Sequence, residues 1–212
     1  MHEWLYYHGG KRLWDVVGAG LSLALAALPL AVCVALIRRE SPGPGLISQW
    51  RVGRNGRLFR LWKLRTMRGD AEADGHARFA AEGDARTTRI GGWLRAWHGD
   101  ELPQLWNVLR GEMSLVGPRP ERPYFVARFR DEIPGYDCRH WVRPGITGWA
   151  QVNLGYARDL ASTRLKTAYD LNYLETAGWQ RDWEIWRRTW EVAGYALTGA
   201  GPSAADAGGD AA

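Results

Sequence analysis

The feature that most constrains the fold is a run without a charged side chain, which spans residues 16–37. Lys11 and Arg12 precede the run, and Arg38 and Arg39 follow it. About 20 predominantly apolar residues in a helix are enough to cross the hydrocarbon core of a bilayer, so the run predicts a membrane helix. A cleaved signal peptide fits less well, because no small-residue cleavage site followed by a polar segment closes the run.

Three details favour a helix that breaks and returns to the side from which it entered. Basic pairs stand at both ends, whereas a spanning helix usually has an asymmetry of basic residues. Asp15 is costly deep in a bilayer, so we expect it near the headgroups, paired with Arg12. Pro29 lies inside the run and removes a backbone donor, which predicts the break. A straight spanning helix with a proline kink is the alternative.

Length and composition predict one compact domain attached to this anchor. Residues 1–40 form an aromatic leader and the anchor, residues 41–198 the domain, and residues 199–212 a low-complexity, disordered tail. A hydrophobic content of 46% with 24% charged residues excludes a disordered chain and a polytopic membrane protein. The net charge of +5 favours an anionic partner: nucleic acid, an acidic membrane face or a phosphorylated substrate.

A small β-hairpin is predicted directly after the anchor. Residues 46–52 and 58–64 alternate apolar and polar side chains around a turn at residues 53–56. The second strand runs into Lys63 and Arg65, which either form a solvated face or reach an anion.

Two segments of different character follow the hairpin. Residues 68–89 are small and polar, which predicts a partly helical, mobile excursion with His76 on its surface. Residues 90–97 predict a short helix that carries Arg95 toward an acidic pair.

The acidic pair, Asp100 and Glu101, opens a predicted amphipathic helix that ends at Gly111. The apolar face of this helix is predicted from four residues at helical spacing: Leu102, Leu105, Trp106 and Leu109. A carboxylate at a helix start stays ionised beside the positive end of the helix dipole. Ringed by arginines, it suits work on a phosphate group. The alternative is that Asp100 only caps the helix.

Two loops downstream are candidate binding loops. Pro118 and Pro120 restrict the backbone around Arg119, which predicts a guanidinium fixed for a phosphate or uracil oxygen, or else an exposed turn. Residues 143–153, which include Arg143 and Gln151, form either a binding loop or a structural turn around a buried tryptophan.

Residues 121–132 and 163–174 predict two further helices. The last helix carries four tryptophans at helical spacing, which either pack in the core or lie in the lipid headgroup layer: Trp179, Trp183, Trp186 and Trp190.

Several of these motifs, in this order, resemble the bacterial sugar transferases that act on polyprenyl phosphate, the small monotopic phosphoglycosyl transferases. The likeness extends over residues 11–190. It rests on Lys11-Arg12 with Asp15, residues 59–67, 88–95, 100–111, 113–120 and 143–153, and Tyr169-Asp170 with Tyr173. The pairing of Asp-Glu-Leu-Pro-Gln with Val-Gly-Pro-Arg-Pro at this separation is the most specific part.

The resemblance implies an α+β, mainly helical fold: a re-entrant helix-break-helix joined to a compact cytosolic domain with a small hairpin and amphipathic helices at the membrane interface. The expected location is the cytoplasmic face of the bacterial inner membrane, in contact with its lipid. The family likeness leaves the oligomeric state open and gives no reason to expect nucleic acid.

The resemblance also implies a mechanism. Asp100 attacks the sugar-bearing phosphate of a UDP-sugar, UMP leaves, and undecaprenyl phosphate then takes the sugar phosphate from the aspartate. Mg²⁺ is the expected cofactor, with Asp100 and Glu101 as its ligands. Residues expected to hold phosphate or uridine are Arg95, Arg119, Pro118, Pro120, Lys63, Arg65, Arg143 and Gln151.

Two other functions compete with this hypothesis. One is a membrane-anchored basic module that binds partners without chemistry, although its basic residues are interleaved with acids and no nucleic-acid motif is present. The other is an isoprenoid-diphosphate transferase in which the two carboxylates serve only as metal ligands.

Overall fold

A computed structural model describes residues 9–69, 84–154 and 159–198 of the chain. Most of the predicted aromatic leader, most of the predicted mobile excursion with His76, and the predicted tail lie outside the described residues. The described part is mainly helical. Its helices are α1 Lys11–Glu40, α2 Arg89–Ala96, α3 Gln104–Arg110, α4 Pro123–Glu132, α5 Trp149–Asn153, α6 Leu160–Thr176 and α7 Trp179–Thr198. Its strands are β1 Leu46–Val52, β2 Leu58–Leu64, β3 Ser114–Val116 and β4 Gly145–Thr147.

The apolar run forms α1, a single helix of 30 residues that contains Pro29. The predicted break at Pro29 is therefore wrong: the helix continues through the proline. The reason lies in packing, since Leu23 on one side of Pro29 and Leu30 on the other both pack against the folded domain. The helix is long and apolar enough to cross a membrane, with a mean hydropathy of 2.5 in its most apolar window.

Both ends of α1 are bonded to the same domain. Near its start, Arg12 donates to carbonyls of α3. At its end, Glu40 accepts a hydrogen bond from the backbone N–H of Arg89 at 2.7 Å and so caps α2. Between these ends, one face of α1 leaves large apolar side chains exposed, among them Leu21, Leu25, Leu28 and Val32.

The hairpin is confirmed. β1 and β2 pair antiparallel with Leu46 opposite Leu64 and Val52 opposite Leu58. Asn55 adopts a left-handed conformation in the connecting turn, with φ of 56°. Asn107 of α3 fastens the hairpin to the domain, because its side chain accepts from the Trp62 backbone at 3.0 Å and donates to the Arg60 carbonyl at 2.7 Å.

The helix predicted around the acidic pair is confirmed in part. Asp100 and Glu101 lie in a 3₁₀ helix, Gly99–Glu101, and α3 begins only after Pro103. The predicted end is correct, since Gly111 caps α3 with φ of 81°. The predicted apolar face is wrong for Trp106, which is 49% exposed. Asn107 takes an inward position instead, because it ties α3 to the hairpin.

A second sheet explains the glycines of residues 143–153. β3 and β4 pair in parallel. Their backbones approach so closely that a Cβ on Gly145 would lie 2.1 Å from the Gly117 nitrogen. A Cβ on Gly148 would lie 2.2 Å from the Gly117 carbonyl oxygen. These glycines are required by backbone packing.

The remaining helices complete the domain. The two helices predicted at residues 121–132 and 163–174 are confirmed as α4 and α6. On α7 the inward face carries Asp182 and Ile185, which are buried. Three of the four tryptophans are exposed, and Trp186 alone of the four packs against the core: the exposed three are Trp179, Trp183 and Trp190.

Candidate active site

Asp100 is buried, with 7% of its surface exposed, among positively charged side chains. Lys63, Arg95 and Arg119 are its cationic neighbours. We call Lys63, Arg95, Asp100, Glu101 and Arg119 the active-site cluster. Among the described residues, no hydrogen bond ends on the Asp100 carboxylate. The structure therefore brings the predicted nucleophile together with three of the predicted cations.

The pKa of Asp100 is raised above its usual range. Burial is the largest cause, and the charge of Glu101 raises the pKa further. The three cations oppose this shift and favour the carboxylate. The prediction that Asp100 stays ionised rested on the dipole of a longer helix, whereas Asp100 lies in a 3₁₀ helix, Gly99–Glu101, where cationic side chains favour the carboxylate.

Glu101 is paired with Arg119 through both of its oxygens. Arg119 Nη1 donates to Oε2 at 3.0 Å, and Nη2 donates to Oε1. Burial would raise the pKa of Glu101, but the charge and hydrogen bonds of Arg119 outweigh burial and lower the pKa to about 2. Glu101 is thus a permanent anion that orients the Arg119 guanidinium.

The backbone of Arg119 is also held. Arg139 donates from Nη2 to the Arg119 carbonyl at 2.9 Å, and the same nitrogen donates to Asp170 at 2.6 Å. Pro118 is buried, and its carbonyl accepts from Gly145 at 2.9 Å. The backbone of Pro118 and Arg119 is thus hydrogen-bonded to two other segments, which supports the prediction of a fixed loop.

Arg95 reaches the cluster from α2. Its Nε donates to the Thr66 hydroxyl at 2.8 Å, and Nη1 donates to the Thr87 hydroxyl at 3.4 Å. Both partners are neutral hydroxyls, so neither of these two hydrogen bonds pairs the Arg95 guanidinium with an anion.

Lys63 approaches from β2. Burial lowers the pKa of Lys63, Asp100 opposes that shift, and Arg51 and Arg95 add to it. A lysine flanked by two arginines and a buried carboxylate is held in an excess of positive charge, which favours binding of an anion.

Arg51 is a site residue that sequence reasoning missed. It donates from Nη1 to the Pro120 carbonyl at 3.4 Å, and burial lowers its pKa to about 10. Its Nε has no hydrogen-bond partner within residues 9–69, 84–154 and 159–198. The signal was present in the strand alternation, because Arg51 and Lys63 lie on the same face of the hairpin as Phe59.

Arg65 does not belong to the site, so its prediction as a phosphate-binding residue is wrong. It is 5% exposed and donates to the Ile37 and Ser41 carbonyls at 3.3 and 2.6 Å, and to the Pro42 carbonyl. The last carbonyls of a helix have no partner within the helix, and a cation there is favoured by the helix dipole. Arg65 therefore closes the end of α1.

Arg143 and Gln151 are likewise outside the active-site cluster. Arg143 donates to the Gly111 carbonyl at 2.9 Å, and burial and then the charge of Arg12 lower its pKa. Gln151 donates to the Ile146 carbonyl at 2.8 Å within its own loop. Both contacts are made to the backbone near β4 and not to the active-site cluster, so substrate binding by Arg143 and Gln151 stays a prediction.

The predicted headgroup pair is also wrong. Asp15 is 1% exposed and accepts from Ser114 and Leu115, while Arg12 donates to the Val108 and Leu109 carbonyls. The two side chains bind different segments of the domain because burial in the protein offers each of them hydrogen-bond partners.

The number of carboxylates at the site limits which metal ions it could hold. Among the described residues, no group of three or more His, Cys, Asp or Glu side chains is arranged to hold an ion. Magnesium usually binds through one or two carboxylates together with substrate phosphates and water. The active-site cluster contains two carboxylates, Asp100 and Glu101, which is the number that such a donor set uses.

Comparison with known proteins points to one family. The family model described as bacterial sugar transferase matches residues 6–194. A protein of Aeromonas hydrophila named UDP-N-acetylgalactosamine-undecaprenyl-phosphate N-acetylgalactosaminephosphotransferase is 48% identical over 165 residues, which are 78% of this chain and 39% of that protein.

Two further relatives carry another sugar in their names. A UDP-glucose:undecaprenyl-phosphate glucose-1-phosphate transferase of Caulobacter vibrioides is 45% identical, over 82% of this chain and 66% of that protein. An Escherichia coli protein of the same name is 41% identical, over 82% of this chain and 37% of that protein. The chain thus spans less than two thirds of the length of these three relatives.

Proposed function

Because the chain belongs to the bacterial sugar transferase family, we propose that it transfers a sugar-1-phosphate from a UDP-sugar to undecaprenyl phosphate and releases UMP. The observation that carries the proposal is Asp100, a buried carboxylate that accepts no hydrogen bond from the described part of the chain and lies beside three cations. The relatives supply the donor and acceptor classes. Their names differ in the sugar, so the proposal leaves the sugar open.

The proposed chemistry has two displacements at phosphorus. A carboxylate oxygen of Asp100 attacks the phosphate that bears the sugar, and the bond to the bridging oxygen breaks with UMP as the leaving group. A phosphate oxygen of undecaprenyl phosphate then attacks the same phosphorus and releases the carboxylate. Two steps suit a site at which one substrate is soluble and the other lies in a membrane.

The two acids have different proposed roles. Both Glu101 oxygens accept hydrogen bonds from Arg119, which leaves Asp100 as the carboxylate available for attack. Arg119, held by Glu101 and Arg139, faces the diphosphate as a fixed fork. Arg95 and Lys63 stabilise the charge of the transferring phosphate.

Mg²⁺ is part of the proposal. Asp100 would hold it together with the donor phosphates, with Glu101 as a further ligand where a lone pair stays free of Arg119. When bound, the ion neutralises charge on the diphosphate, which otherwise repels an anionic nucleophile.

We also propose a monotopic placement on the cytoplasmic face of the inner membrane, in which the continuous helix α1 does not cross the bilayer. Its support is that Arg12 and Glu40, at opposite ends of α1, both bond to the same domain. The exposed apolar face of α1 would then lie in lipid without carrying either end across. Reporters fused before α1 and after Ala212 should both be accessible from the cytoplasm. Accessibility from opposite sides would overturn this placement.

The decisive experiment follows a covalent adduct on Asp100. The full chain is incubated with a UDP-sugar and Mg²⁺, without acceptor lipid, and analysed by mass spectrometry. We expect a phospho-sugar mass shift on Asp100 and stoichiometric UMP. Asp100→Asn should lower turnover at least ~10³-fold and give no adduct. Full UMP release by Asp100→Asn would contradict the proposal.

The same assay tests the competing functions. A binding module gives neither adduct nor UMP release. A transferase that uses the carboxylates only as metal ligands turns over with metal but never carries the sugar phosphate on Asp100. A panel of UDP-sugars with undecaprenyl phosphate then identifies the donor.

A further inference from the structure

The first turns of α1 bond to both segments that carry the active-site groups. Arg12 donates from Nη1 to the Val108 carbonyl at 2.6 Å and from Nη2 to the Leu109 carbonyl at 2.9 Å. These carbonyls lie in the last turn of α3, which begins just after Asp100 and Glu101. Arg12 therefore closes the end of the helix whose start follows the acidic pair.

Asp15 bonds to the second segment. A single oxygen, Oδ1, accepts from the Ser114 hydroxyl at 2.9 Å and from the Leu115 backbone at 2.9 Å. Ser114 and Leu115 belong to β3, which leads directly into the loop that carries Arg119. Asp15 is 1% exposed, so water offers no substitute for these bonds.

Only residues 111–113 join α3 to β3. A shift of either element against the other therefore changes the separation of Asp100 and Arg119 directly. Arg12 and Asp15 are three positions apart on the same helix, so one rigid turn of α1 holds both elements.

We propose that Arg12 and Asp15 form a positioning clamp, the α1 clamp, through which the membrane helix sets the geometry between Asp100 and Arg119. The inference rests on the proposed function and adds that the anchor does more than tether the domain. Misplacement of a nucleophile by about 1 Å can cost 10²-fold in rate.

The clamp makes a prediction that tethering alone does not. Adduct formation on Asp100 needs only the soluble donor, so a residue that serves membrane insertion affects transfer to lipid and leaves adduct formation unchanged. A clamp residue affects adduct formation itself.

The test compares variants of the full chain in lipid nanodiscs, with UDP-N-acetylgalactosamine or UDP-glucose as the donor, whichever the wild type uses. Asp15→Leu should slow adduct formation about 10²-fold at saturating donor. Asp15→Asn should recover most of the rate, because the amide oxygen can accept the same two hydrogen bonds. Ser114→Ala, which removes one bond and keeps the packing, should slow the rate about 10-fold.

The matched control is Val126→Ala, a cavity in the separate apolar cluster around Phe129. It should lower the Tm and leave the adduct rate per folded molecule near that of the wild type. If Asp15→Leu does not fold, Ser114→Ala and Asp15→Asn carry the test.

Three outcomes would overturn the clamp: adduct formation by Asp15→Leu or Ser114→Ala at the wild-type rate, a defect confined to transfer to lipid, or an equal defect in Val126→Ala. Failure of the proposed function has a different signature, because the wild type itself would then form no adduct.

Discussion

This protein contains two buried clusters in which acidic side chains lie near hydrogen-bond donors or cations. The clusters differ in whether every carboxylate accepts a hydrogen bond. In the first, the α1 base cluster of Lys11, Asp15, Ser114, Tyr173 and Asp182, both carboxylates accept hydrogen bonds. Asp182 accepts from Lys11 and, at 2.7 Å, from the Tyr173 hydroxyl. Asp15 accepts from Ser114 and the β3 backbone. This cluster is satisfied within the protein.

In the active-site cluster the balance is different. Each Glu101 oxygen accepts a hydrogen bond from Arg119, but Asp100 accepts no hydrogen bond among the described residues. Cations outnumber acids there, since Lys63, Arg95 and Arg119 face only two carboxylates. Burying a charge without partners is costly, so such an arrangement persists where a substrate supplies the missing interactions. The comparison separates a cluster whose carboxylates are bonded within the protein from one whose proposed nucleophile is left available to a substrate.

The largest effect in either cluster is expected at Arg119, in the active-site cluster. Arg119→Lys should lower kcat/KM for the donor by roughly 10²-fold, because lysine keeps the charge but loses the planar fork held by Glu101. The measurement is UMP release over a range of donor concentrations, with thermal unfolding as the control for folding. A kcat/KM for Arg119→Lys within threefold of the wild-type value would show that the planar guanidinium is not needed for donor turnover.

Lys63 offers a test through pH. Asp100 must be ionised to attack, and its pKa lies above the usual aspartate range, so kcat/KM should fall as pH drops through that raised value. Lys63 lowers the pKa of Asp100, so Lys63→Gln should move this acid limb to higher pH and reduce the plateau about 10-fold. A limb that stays in place or moves to lower pH would contradict the coupling.

The smallest effect is expected at Tyr173, which belongs to the α1 base cluster but donates its hydroxyl hydrogen bond to Asp182 and not to Asp15 of the α1 clamp. Tyr173→Phe removes one hydrogen bond to Asp182 and keeps the ring in the core, which should cost about 1 kcal/mol of unfolding free energy. Turnover per folded molecule should change less than twofold. Denaturant unfolding and UMP release on the same preparation measure both quantities. A large loss of turnover at unchanged stability would erase the distinction between the clusters.

Local patterns in the sequence predicted the elements of the site. The alternation of β1 and β2 gave the hairpin, and Gly111 gave the end of α3, because strand alternation and helix termination depend on neighbouring residues. The prolines around Arg119 predicted its fixed loop for the same reason. Arg51 could have been found by the same alternation, which places it on the same face of the hairpin as Lys63.

The roles of other charged residues depend on contacts with residues that are distant in the sequence. Lys63 and Arg65 lie two positions apart in one basic run, yet Lys63 faces Asp100 while Arg65 closes the end of α1. Asp100 and Glu101 are adjacent, yet only Glu101 is taken by Arg119. No local pattern distinguishes these neighbours, because each assignment depends on a segment that folding brings from elsewhere.

The sequence by itself determined the long apolar helix, the hairpin, the turn with two carboxylates and the family, since each follows from spacing and residue type along a short stretch. Only the tertiary structure decided which carboxylate is left without a hydrogen bond, which cations surround it, and that Arg12 and Asp15 bind the domain. The physical reason is that a buried charge takes its pKa and its role from groups packed around it, and packing joins residues up to 171 positions apart in this chain.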